Sequence, residues 1–330
     1  MTTQLNNDPR AQQAYDWASA QLGRKDLAIA PASADASFRR YFRLSAAGQS
    51  WVLMDAPPDK ENCEPFIHIA GLVRDAKLNG PIVHAQDLAQ GFLLLSDLGT
   101  QTYLHVINET NADELFAPAI TALIQWQLSS KPNELPPYDD ALLRRELALF
   151  PDWYVAKHLK RELTSAQAAL LRGAEDVLVV SALAQPKVYV HRDYMPRNLM
   201  ISTPNPGILD FQDAVYGPIT YDVVSLFKDA FLSWPEARVL KWANQYWNEA
   251  RAAGLPLSKD FDAFYRDFEL MGLQRHLKVL GIFARINYRD GKPHYLKDTP
   301  RFIRYVREVA GRYAELSGLV QLFDELELHS

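Results

Sequence analysis

His191-Arg192-Asp193-Tyr194-Met195-Pro196-Arg197-Asn198, followed twelve residues later by Asp210 in Leu209-Asp210-Phe211, is the stretch from which the fold is read. Val188-Tyr189-Val190 ahead of it is a short apolar run of β-formers, and Leu199-Met200-Ile201 and Gly207-Ile208-Leu209 are two more. Strands therefore deliver a carboxylate, an amide and a second carboxylate from neighbouring loop ends. Asp and Asn often do no more than cap turns. Four residue types at this fixed spacing, each at about 5% usage, would nevertheless coincide in only about two of every thousand chains of this length. The stretch is read as chemistry, with His191 and Arg192 holding the loop in shape.

Outward from that centre the chain changes character at about Leu98-Gly99. Before it, Asp8-Pro9, the apolar face Ala11, Ala14, Trp17, Ala18, Leu22 and then Gly23 predict a capped helix. Phe38–Leu44 and Trp51–Met54, joined around Ala47-Gly48-Gln49, predict a β-hairpin. A helix over 62–77 and short strands at 81–85 and 92–95 complete a small α+β unit. After it, helical periodicity runs over 112–131, 140–160, 164–184, 235–253, 258–287 and 298–317. The expectation is an α+β chain in two lobes: a β-rich part over 1–98 with a joining segment at 96–99, and a mainly helical part over 99–330, with a cleft between them.

Composition narrows the partners. Forty acidic against 35 basic residues give a net charge of −5 over 330 residues, without the basic excess that nucleic-acid binding needs. The single cysteine, Cys63, excludes an internal disulfide framework and reads as a buried small residue in a reducing compartment. No run approaches the roughly 20 apolar residues that span a bilayer, and the N-terminus lacks the order of a signal peptide, so a cytoplasmic address is expected. No protein partner is implied, and a monomer is expected.

His191 to Asn198 fits the kinase catalytic-loop pattern H-R-D-x-x-x-x-N, and its spacing to Asp210 has a physical reason. Phosphoryl transfer from a nucleotide needs a carboxylate beside the attacking hydroxyl and hard oxygen ligands that hold Mg²⁺ on the phosphates. Asp193 suits the first task; Asn198 and Asp210 suit the second. With FLLLSDLG at 92–99 and Gly217-Pro218 before Tyr221-Asp222, the chain resembles the aminoglycoside phosphotransferase and choline kinase superfamily. That resemblance implies a protein-kinase-like two-lobed fold, ATP and Mg²⁺ as cofactors, Asp193 as catalytic base, Asn198 and Asp210 as metal ligands, and Asp222 as scaffold. It also implies that the backbone of Ser96 and Leu98 meets the adenine. ADASFRRYFRL, VLMDAPPDKENCEPF, RRELALFPDWYVAKHL and QRHLKVLGIFARINYRDGKPHYLKDTPRFIRY resemble the superfamily's cell-wall-recycling branch, implying transfer to the anomeric hydroxyl of N-acetylmuramate or N-acetylglucosamine.

Two departures from the superfamily stand out. Its usual strand lysine is missing from Trp51-Val52-Leu53-Met54-Asp55, leaving Arg43 or Lys60 as candidate phosphate cations, each also readable as a surface charge. The loop 32–37 that would cover the phosphates lacks glycine, so the backbone at Ser37 and Phe38 is the candidate contact. For the acceptor, Asp213 is readable as a ligand of sugar hydroxyls or as a turn cap, and Trp153 as a sugar platform or as core. Arg275, His276 and Arg285 are readable as partners of a substrate carboxylate or as ion-pairing residues. The competing readings are transfer to another small alcohol or amine (an aminoglycoside, choline or homoserine) and a catalytically silent nucleotide-binding regulator.

Overall fold

The structure, a computed structural model, describes residues 8–33 and 38–329. The chain divides into two compact units, one of residues 1–126 and 196–213, the other of 127–195 and 214–330. The boundary at 98/99 rests instead on the change of element type, and remains a proposal.

The first unit opens with α1 (Pro9–Leu22), where Asp8 accepts from the Ala11 N–H and Gly23 closes the helix at φ 63°. Five antiparallel strands follow, β1 (Ala28–Ser33), β2 (Arg40–Ala46), β3 (Gln49–Asp55), β4 (Val83–Asp87) and β5 (Phe92–Ser96), in the order β1-β2-β3-β5-β4. Ala47 and Gly48 both take positive φ at the β2–β3 turn, as the twist of a two-residue hairpin demands. Phe92 to Leu95 are buried without alternation because β5 lies between β3 and β4. Ala14 and Ala18 of α1 pack with Leu44, Leu53, Phe92 and Leu94 on one face of the sheet. Asp55, wholly buried, is held there by Arg10 at 2.7 Å and by Arg40. After β3 comes α2 (Glu64–Asp75), which buries Phe66, Ile69, Ala70 and Val73.

β1 is a correction to the sequence reading, which left Ala32 and Ser33 in a loop. Its small residues and Pro31 carry little strand propensity, and an edge position tolerates a proline that cannot donate to a ladder. Residues 34–37, Ser37 among them, lie outside the described residues.

The second unit is mainly helical. Strands Lys187–Val190 and Val215–Pro218 pair antiparallel within it, placing Val188 opposite Gly217. A Cβ on Gly217 would lie 2.5 Å from Tyr138, so this strand needs a glycine. The expected helix over 140–160 is Asp140–Leu147 followed by a π-helical stretch, Phe150–His158, that begins around Pro151, which has no N–H for the ladder. The expected helix over 298–317 ends at Ala310, before Gly311, and a further helix covers Ser317–Glu325. The long helix Phe261–Asp290 is buried on every side from Phe268 to Gly281, charged residues included. No described helix is long and apolar enough to cross a membrane.

Gly281 is where the long helix passes the backbone ahead of the π-helical stretch, and a Cβ there would sit 2.2 Å from Leu149 C and O. Backbone cannot turn aside as a side-chain tip can, so Gly281→Ala is expected to cost about 1–3 kcal/mol. Urea unfolding of the variant against wild type measures this.

Candidate active site

In the second unit, the strand Lys187–Val190 runs directly into His191, and the loop that follows is shaped by one carboxylate. Asp222, in the first turn of helix Tyr221–Phe227 and wholly buried, accepts from the N–H of His191 at 2.6 Å and of Arg192 at 3.0 Å. Burial pushes Asp222 up to about 7, against the pull of those two N–H groups and of Arg275. Arg192 adopts φ 75°, a left-handed conformation that a residue with a Cβ keeps only when its surroundings impose it. The Asp193 N–H reaches His191 Nδ1 at 3.3 Å, and the Met195 N–H donates to the Asp193 carbonyl at 3.0 Å. Asp193 remains partly exposed. Asp222 thus faces inward onto the backbone, while Asp193 retains access to solvent.

A buried polar cluster extends this support. Arg192 reaches Glu146 at 2.5 Å, Lys278 reaches the same carboxylate oxygen at 2.8 Å, and Tyr138 and Gln274 donate to the other oxygen. Burial pushes Glu146 up, but the Lys278 and Arg192 charges outweigh it and hold the group down at about 2. The Tyr221 hydroxyl accepts from Lys278 at 2.9 Å and Arg275 at 3.2 Å. The pairing of Glu146, Lys278 and Tyr221 is not signalled by the sequence, because most of their partners lie tens to more than a hundred positions away.

The first unit carries the two candidate metal ligands. Leu199–Met200 pairs with Gly207–Ile208, and the Leu209 N–H donates to the Asn198 carbonyl at 2.9 Å, which fixes Asn198 and Asp210 side by side. Asn198 Nδ2 lies 3.1 Å from Asp210 Oδ2, and Gln212 Nε2 donates to Asp210 Oδ1 at 2.9 Å. Asp210 also takes a left-handed backbone, φ 65°, while Phe211 beside it is buried against Phe66 with ring centroids 5.0 Å apart. A carboxylate and an amide oxygen are hard donors, and Mg²⁺ ordinarily takes one or two carboxylates with phosphate and water oxygens. The pair fits that ion once the Asn198 amide is turned so that its oxygen, instead of its NH₂, faces Asp210.

Other sequence candidates fall in varied places. The Arg43 fork is bound by Asp97, with Nε at 2.6 Å and Nη2 at 3.0 Å, and Nη2 also donates to the Gly99 carbonyl at 2.6 Å. Burial raises the Asp97 carboxyl, but Arg43 and the Gly99 N–H overcome this and hold it below its usual range. Arg43 thereby braces the segment at 97–99. The Ser96 N–H is committed to the Ile82 carbonyl at 2.9 Å, and Leu98 is partly buried. Phe38 is exposed, its N–H 3.2 Å from Glu61 and its ring 4.9 Å from the Lys60 ammonium. Glu61 also pairs with Arg39 at 3.0 Å.

Asp213 is exposed and Trp153 half-buried. Arg275 and His276 are only 4% and 1% exposed, which places both inside the helical unit. Burial pushes His276 well below its ordinary value, leaving a neutral ring against Tyr305 and Phe302. Burial likewise works against the charge of Arg275, but Tyr221, Asp193 and Asp229 hold it above its usual value.

The sequence profile of the phosphotransferase enzyme family matches residues 28–258. A relative from Pseudomonas putida, named N-acetylmuramate/N-acetylglucosamine kinase, is 58% identical over 97% of this chain and 98% of its own length. A relative of the same name from Neisseria meningitidis is 49% identical over 94% of each chain. Among solved structures, choline kinase LicA from Streptococcus pneumoniae aligns with a TM-score of 0.61 at 12% identity, covering 90% of this chain and 99% of that one. The ADP-bound aminoglycoside phosphotransferase APH(2″)-Ib aligns at 0.57 and 14% identity, covering 90% and 98%. At such identities these likenesses speak for the fold alone, and they match the α+β architecture expected from the sequence.

Two outcomes are expected. Asp222→Asn sets an NH₂ against a buried N–H and should cost about 1–3 kcal/mol in urea unfolding. Glu146 has a folded pKa below its unfolded one, so its stabilisation is complete above about 4.5 and is lost as pH falls towards about 2. The stability gap between wild type and Glu146→Gln should therefore be widest at neutral pH and close across that acid window, as read by denaturation at a series of pH values.

Proposed function

This chain belongs to the phosphotransferase enzyme family, and from that premise we propose that it is an ATP-dependent sugar kinase acting on N-acetylmuramate and N-acetylglucosamine at the anomeric hydroxyl. The observation that carries the reading is the near full-length likeness, at 58% identity, to a relative bearing the name of that kinase.

Phosphoryl transfer asks little covalent chemistry of a protein; positioning and charge neutralisation supply most of the rate. Asp193 takes the role of proton acceptor. An anomeric hydroxyl is somewhat more acidic than an ordinary alcohol, so Asp193 orients the nucleophile first and receives its proton late. Asn198 and Asp210 hold Mg²⁺, which when bound neutralises charge on the nucleotide phosphates. Asp222 keeps to the scaffold, since both its oxygens are occupied by loop N–H groups. Ser96 and Leu98 remain the proposed adenine contacts through their backbone, the Ser96 carbonyl and the Leu98 amide. Asp213 and Trp153 remain proposed for the acceptor.

ADP release measured with ATP, Mg²⁺ and a panel of acceptors tests the reading. Turnover is expected with N-acetylmuramate and N-acetylglucosamine and not with choline, homoserine or an aminoglycoside; turnover confined to one of the latter group would transfer the assignment to it. Asp193→Asn should lower kcat on the order of 10²–10⁴-fold. Near-normal turnover in that variant would remove Asp193 from the chemistry.

A further inference from the structure

The peptide unit that joins Arg192 to Asp193 is gripped at both ends. Its N–H, belonging to Asp193, points to His191 Nδ1 at 3.3 Å, and its C=O, belonging to Arg192, accepts from Arg275 Nη1 at 3.1 Å. One residue earlier, the Arg192 N–H is fixed by Asp222 at 3.0 Å. Arg275 comes from the long helix Phe261–Asp290, far along the chain, and its guanidinium also donates to the hydroxyl of Tyr221, the neighbour of Asp222. A single side chain thus joins the loop carbonyl to the helix whose first turn holds the loop N–H groups. Lys278, three residues on and so on the same helical face, donates to the same Tyr221 hydroxyl and to Glu146, which in turn holds the Arg192 guanidinium.

We propose that Arg275 is a positioning residue for phosphoryl transfer: through the Arg192 carbonyl it sets the peptide plane ahead of Asp193 and so the direction in which the Asp193 carboxylate points. This deepens the sugar-kinase reading and rests on it for its kinetic test. Three features carry it. Arg192 sits at φ 75°, a conformation it keeps only while its neighbours impose it. Arg275 is 4% exposed, so its charge is committed to internal partners instead of an incoming substrate. Both of its hydrogen bonds, to the Arg192 carbonyl and the Tyr221 hydroxyl, leave from the one nitrogen Nη1, which the rigid guanidinium plane holds in place better than a flexible stem holds a lysine ammonium. The role replaces the substrate-carboxylate contact expected of Arg275 from the sequence.

Arg275→Met and Arg275→Lys should be assayed with both sugars and, independently of any substrate, by amide hydrogen exchange. Arg275→Met should lower kcat on the order of 10- to 100-fold with N-acetylmuramate and N-acetylglucosamine alike, leaving KM for each sugar and for ATP within about twofold. Arg275→Lys should fall between it and wild type. Exchange at the Arg192 and Asp193 amides should quicken at least about tenfold in Arg275→Met while the β1–β5 sheet keeps its protection. Normal kcat with unchanged loop exchange overturns the proposal, and so does a rise in KM confined to N-acetylmuramate, which would mark Arg275 as a carboxylate ligand. Should Arg275→Met fail to fold, Arg275→Lys decides by the same two readings. If wild type phosphorylates neither sugar, the sugar-kinase reading falls, and the exchange arm still decides the positioning role.

Discussion

Two backbone N–H groups ending on the Asp222 carboxylate are the constraint from which the loop carrying Asp193 takes its shape. A carboxylate sealed from water is expensive unless its oxygens are occupied, and a loop leaving a strand has N–H groups with no ladder partner. Joining the two resolves both problems and forces the chain through a left-handed residue at Arg192. That turn directs the next residue, Asp193, away from the interior. Around it the second unit assembles a polar interior in which three cations, Arg192, Arg275 and Lys278, meet the Glu146 carboxylate, the Tyr221 hydroxyl and the loop carbonyl. Ions at such depth are tolerated because each is hydrogen-bonded, and Arg192 and Lys278 are also paired with Glu146.

The first unit solves a parallel problem in miniature. A two-residue ladder and one further backbone bond bring Asn198 and Asp210 together, although twelve positions separate them, and Phe211 anchors the strand end beside Phe66. Asp210, like Arg192, adopts a left-handed backbone. Non-glycine residues in that region gather where a side chain must be aimed against the preference of its own backbone. Of the seven such residues among those described, one, Arg192, stands just before Asp193 and another is Asp210 itself.

The proposed site can be read from the sequence because its residues lie close together in the chain. Asp193, Asn198 and Asp210 belong to one motif, and Asp8, Pro9 and Gly23 spell out α1 by capping rules alone. Burial was legible in Phe92-Leu93-Leu94-Leu95, an apolar run that suits an internal strand. What escaped depends on partners distant in sequence. Arg43 reads as a possible phosphate cation until Asp97, 54 positions on, is seen to occupy its fork. Arg275 and His276 read as acceptor ligands because periodicity identifies helix faces only where one side is polar, and the long helix is enclosed on all sides there. β1 escaped because alanine and proline hide a strand whose edge position makes them acceptable.

The proposed reaction bonds a phosphoryl group from ATP to the C1 hydroxyl oxygen of an N-acetylated amino sugar. It is tested most directly by incubating the protein with ATP, Mg²⁺ and N-acetylglucosamine labelled with ¹³C at C1, then recording the ³¹P spectrum of the product. The account predicts a phosphomonoester resonance split by coupling to the labelled carbon. An unsplit phosphomonoester, which would place the phosphate on another hydroxyl, or a sugar left unphosphorylated while ATP is consumed, would contradict it.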